Sequence, residues 1–118
     1  MDRNKPTYDL AELQALVKAG GLCRRITERA RTDAEQLGYD EADIVDVVLS
    51  LSCSDFDVSL ESIVRPGLWQ DVYWPTIGKR RLYVKLQRIA RKDGSAAVII
   101  SFHKNTAKRR AGHRGGNQ

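Results

Sequence analysis

Cysteine and histidine are scarce in this chain of 118 residues, with two of each. Cys23 and Cys53 form no C-x-x-C pair, and adding His103 and His113 still leaves a poor ligand set for zinc, so no metal or other cofactor is expected. The thiols read as buried or half-buried packing groups. No stretch approaches the ~20 apolar residues of a membrane span, and Met1-Asp2-Arg3-Asn4-Lys5 lacks the apolar segment of a signal peptide. A cytoplasmic protein with no membrane partner is expected. Acidic residues are few in the second half: residues 1–64 carry seven Lys/Arg against thirteen Asp/Glu, whereas residues 65–118 carry thirteen against two. The net charge of +5 therefore conceals an acidic half and a strongly basic one, and a polyanion would be drawn to the second.

A chain of this length buries ~65% of its unfolded surface, enough for one core without disulfides or metals. Three helices are expected first. Asp9 with Glu12 has capping-box spacing, Leu10, Leu13, Leu16 and Val17 recur at helical period, and Gly20-Gly21 supplies the left-handed stop. Thr27 can cap a second helix ending at Leu37 and Gly38, with an apolar face of Ala30, Ala34 and Leu37. Asp40 with Asp43 opens a third, faced by Ile44, Val47, Val48 and Leu51. Arg24, Arg25, Arg29 and Arg31 read most simply as a solvated face.

Strands follow, rich in β-branched and aromatic residues and in part alternating apolar with polar. They are expected near Asp57 to Ile63, over Leu68 to Trp74, over Leu82 to Leu86 and over Val98 to His103. Arg65-Pro66-Gly67 marks one hairpin and Lys92-Asp93-Gly94-Ser95 another. Helices before strands is the order of an α+β domain, with the helices on one face of a mostly antiparallel sheet and the other face open. One domain over residues 1–104 is expected. Residues 105–118, without aromatic or large aliphatic side chains, read as a disordered basic tail.

Period-two alternation sorts the open face. Leu82, Val84 and Leu86 point inward and Tyr83, Lys85 and Gln87 outward; Val98, Ile100 and Phe102 form the inward set of the last strand, leaving Ser101 and His103 opposite. For Leu68, Gln70 and Val72 against Trp69, Asp71 and Tyr73, the pattern leaves both orientations open. A phenol, an ammonium and an imidazole in a basic field suit cleavage of RNA by its own 2′-hydroxyl, which needs a base, charge stabilisation for the phosphorane and an acid for the departing 5′ oxygen. An imidazole is the group best matched to proton transfer near neutrality, so His103 is the candidate acid or base. Lys85 and Lys104 could stabilise charge, and Tyr83 could hold phosphate or stack on a base.

Ser54-Asp55-Phe56, then Trp69-Gln70-Asp71-Val72-Tyr73 with Pro75, then Tyr83-Val84-Lys85 and Ile100-Ser101-Phe102, resemble in order the MqsR family of bacterial toxins, as does Leu16-Val17-Lys18-Ala19-Gly20. The resemblance runs from about Thr7 to Lys104. It implies a RelE-like toxin fold and a metal-independent endoribonuclease, an mRNA interferase, whose partners are its mRNA substrate and a cognate antitoxin protein. It places family site residues on Gln70 and Tyr83. Two family lysines fall instead on Val58 and on His103, with Lys104 one step later, so either the lysine missing at Val58 is dispensable or a neighbour such as Lys85 or Arg81 takes over. The catalytic set is then Gln70, Tyr83 and His103, and the substrate-binding set Lys85, Lys104 and Arg81. A non-catalytic RNA-binding or protein-interaction module on the same fold is the alternative.

Overall fold

A computed structural model of the protein describes residues 2–107; the expected basic tail lies, from residue 108 on, outside them. A short edge strand β1 (Asp2–Arg3) precedes helix α1 (Leu10–Ala19), strand β2 (Arg24–Ile26) and helices α2 (Glu28–Gln36) and α3 (Glu41–Ser50). Strands β3 (Phe56–Glu61), β4 (Trp69–Tyr73), β5 (Thr76–Ile77), β6 (Arg80–Arg91) and β7 (Gly94–Lys104) complete the domain. No helix among the described residues is long and apolar enough to cross a membrane.

Each helix begins where a short polar side chain satisfies an otherwise orphaned backbone donor. Asp9 accepts from Ala11 N at 3.1 Å, Thr27 from Ala30 N at 3.1 Å, and Asp40 and Asp43 form a reciprocal capping box. Glu12 turns away from the expected box at α1 and reaches Arg88 on β6, 3.3 Å away. Helices α1 and α2 end on glycines with positive φ, +70° at Gly20 and +86° at Gly38, while α3 ends as Leu51 turns to extended backbone.

The sheet runs β1-β3-β4-β6-β7-β2, with β5 paired to β6 alone. Every pairing is antiparallel except β2 with β7. All three helices cover one face, where Leu10, Leu13, Val17, Ile44, Val48 and the small Ala30 and Ala34 meet Tyr73, Leu82, Val84, Leu86, Ile99 and Phe102. This is an α+β architecture consistent with a RelE-like toxin fold. Small residues on α2 let it lie close to β7, since they hold its backbone no further off than a methyl group.

Asp71 settles the orientation of β4. Its buried carboxylate accepts from Thr7 N at 3.0 and 3.1 Å and from Tyr8 N at 2.9 Å, tying the segment before α1 across the helix side of the sheet. Tyr8 donates to Trp69 O at 2.6 Å, and burial together with the Asp71 charge raises its pKa. Arg3 lies 3.7 Å above the Trp69 ring. Trp69, Asp71 and Tyr73 therefore face the helices, and Gln70 and Val72 the open side.

Three expectations are corrected. The inward set of β7 is Ala97, Ile99 and Phe102 rather than Val98, Ile100 and Phe102. The register passes from Lys85↔Ser101 to Leu86↔Ile99, so Ile100 is an extra residue in a β-bulge and the alternation changes phase there. Cys53 is exposed rather than buried, while Cys23 is half-buried. Arg24 and Arg31 are not a solvated face: both bond Glu41, at 3.1 and 3.0 Å, and Arg24 also donates to Val17 O at 2.9 Å.

Candidate active site

Strands β6 and β7 carry the centre of the open face. Tyr83 is the register partner of His103 and Lys85 that of Ser101. The Tyr83 and His103 rings stack, with centroids 4.7 Å apart and planes 9° from parallel. His103 Nδ1 lies 2.9 Å from the Lys104 carbonyl oxygen. A carbonyl can only accept, so Nδ1 carries the hydrogen and Nε2 is left to exchange a proton. Lys85 is half-buried, and desolvation lowers its pKa from the usual lysine value. Diagonal neighbours on one face of an antiparallel pair stand ~7 Å apart, which sets Lys85 and His103 to span a small anion between them.

The other expected site residues fall at different distances from this centre. Arg81 occupies the next outward position of β6 beyond Tyr83, and its guanidinium donates to Ala107 O at 2.8 Å. Gln70 shares the open face and donates to Gln87 at 3.2 Å. Gln87 is four residues along β6 from Tyr83, about 13 Å at ~3.3 Å per residue, so Gln70 and the Tyr83–His103 pair do not touch. Lys104 alternates to the opposite side, in register with Leu82, and lines a hollow with Tyr39, Lys79 and Arg80. Val58 is buried next to Val72, in the same cross-strand row as Lys85.

Two residues that sequence reasoning left on the solvated face belong here by position. The parallel pairing of β2 sets Arg25 beside Val98 on the open face. The first turn of α2 sets Arg29 over a hollow of about 430 Å³ that it shares with Thr27, Asp33, Ile100, Ser101 and His103. The available signal was the density of arginine between positions 24 and 31. Only the fold divides those arginines into a pair that braces Glu41 and a pair that faces the strands.

A family model described as "Motility quorum-sensing regulator, toxin of MqsA" matches residues 5–104. The chain belongs to the MqsR toxin family. It is 34% identical over 102 residues to the mRNA interferase toxin MqsR of Escherichia coli (strain K12), a match covering 86% of this chain and 97% of that protein. The matched span includes every site residue named above, from Arg25 to Lys104.

Proposed function

We propose that this MqsR-family chain is itself an mRNA interferase, an endoribonuclease acting in the cytoplasm without a metal ion, and that a cognate antitoxin restrains it. The Tyr83–His103 stack beside a half-buried lysine supports the reading, because an imidazole, a phenol and an amine then share one exposed strand pair. The 2′ oxygen attacks phosphorus and the bond from phosphorus to the 5′ oxygen breaks. Lys85, whose amine burial makes easier to deprotonate, takes the 2′ proton and then faces the phosphorane as an ammonium. His103 Nε2 protonates the departing 5′ oxygen, and the Tyr83 hydroxyl donates to a non-bridging oxygen. Gln70, further along the face, holds a flanking nucleotide. Arg81 and Lys104 attract phosphate at the end of β6 and β7.

Purified protein with a chelator present should cut mRNA and leave 5′-hydroxyl ends. Ends bearing a 5′ phosphate, or cutting that stops when metal is chelated, would overturn the mechanism. The burial of Val58, where the family resemblance puts a lysine, favours the alternative of a module that binds RNA without cutting it. Salt-sensitive binding that yields no products would select that reading.

A further inference from the structure

Four hollows border the side of the sheet formed by β7, β2 and α2, and each shares lining residues with the next. The first, about 300 Å³, is walled by Arg25 and Arg65 over Ile89 and Val98. Thr27 lines both this hollow and the second, the one of about 430 Å³ beneath Arg29. Arg29, Asp33 and His103 continue into a third of about 320 Å³, and Lys104 joins that to a fourth of about 450 Å³ that holds Lys79, Arg80 and Tyr39. The four hollows adjoin in a row, a trough with His103 near its middle.

Charge and floor both match a single-stranded polyanion. Six Lys/Arg line the trough against one acid, Asp33. Asp33 lies 3.4 Å from Arg29, whose side chain is 85% exposed. A surface pair of that kind is weak, so the guanidinium is free to turn to a phosphate. Val98, Ile100 and the Tyr39 ring lie between the cations, as apolar and aromatic groups do in grooves that track unpaired strands. Val98 to Lys104 alone spans about 20 Å at ~3.3 Å per residue.

We infer that single-stranded RNA lies along this trough, with the reacting phosphate at His103, Arg25 and Arg65 gripping phosphates on one side of it, and Lys79 and Arg80 gripping them on the other. The inference rests on the ribonuclease reading for its centre and goes beyond it in assigning the flanks. Two double variants, Arg25→Ala with Arg65→Ala and Lys79→Ala with Arg80→Ala, test it against 2′-O-methylated RNA that cannot be cut. On a strand of about 12 nucleotides, each should weaken binding about tenfold and reduce the slope of log affinity on log salt by about 1.4, two contacts at ~0.7 each. A strand of about three nucleotides should bind every variant equally. Arg80 also donates to Leu37 O at 3.0 Å, so Lys79→Ala alone and a thermal melt accompany the second variant.

Unchanged affinity for the longer strand, loss at only one end, or equal loss on the short strand would overturn the path. So would variants that lose the antitoxin while keeping RNA, which would make the trough a protein-docking surface. If the wild-type chain cuts nothing but both double variants still lose the longer strand selectively, the trough stands and the catalytic reading falls.

Discussion

Along β6, Leu82, Val84 and Leu86 are sealed under the helices, while Tyr83 and Lys85, one residue out of step, are half-buried on the open side. On the covered face the Asp71 carboxylate is taken up by a structural role, accepting from the amides of Thr7 and Tyr8. The open face holds groups such as Lys85 whose burial opposes their charge and which serve no part of the core. The same backbone therefore carries stability on one side and the proposed chemistry on the other, and substitutions at adjacent positions should separate the two.

The largest separation is expected at His103. His103→Ala should reduce cleavage ~10³-fold, in the range of a lost general acid, with the melting temperature nearly unchanged. An active variant would remove the imidazole from the chemistry. Asp71→Ala, on the other face, should cost ~2 kcal/mol in chemical denaturation, because it leaves the part-buried Thr7 and Tyr8 amides without their charged acceptor. A stable variant would show that the N-terminal segment is not tied down through this carboxylate.

Lys85→Met joins the two effects, lowering cleavage ~10²-fold while raising stability at pH 7. The sign follows from burial, which holds the folded pKa of Lys85 below its unfolded value. Between those values the unfolded chain binds the extra proton, so stability rises with pH; below both, where the residue is charged in either state, it is destabilising. The melting temperature of the wild type should therefore approach that of the variant as pH climbs toward the lysine range. Smallest is Tyr73→Phe. The Tyr73 hydroxyl is buried with no hydrogen-bond partner among the described residues, and burial raises its pKa. Removing it should be neutral or stabilising by under ~1 kcal/mol, which a melt would show.

The helices and the middle of β6 and end of β7 could be read from the chain because caps, glycine stops and, away from the bulge at Ile100, alternation are local signals. Tyr83, Lys85 and His103 share a face for the same reason. Strand β2 could not be read, being three residues of which two are arginine, and its pairing with β7 depends on packing between segments more than seventy positions apart. The placement of Arg25 and Arg29 was hidden with it. Gln70 was ambiguous because Trp69, Asp71 and Tyr73 look as suitable for an open face as for a covered one. Only the amides that Asp71 receives from the N-terminal segment decide it.

The extra residue at Ile100 is a spare one in the ladder between β6 and β7. Deleting it would make Ile99 and Ser101 direct neighbours opposite Leu86 and Lys85, which restores plain alternation and leaves the phenyl ring at 102 under the helices and the imidazole at 103 outside. A lineage that lost one residue here would keep the proposed acid in place and forfeit only the added local twist and the side chain that the bulge lends to the hollow beneath Arg29. The geometry around His103 is therefore buffered against a change of length at this one point of the strand.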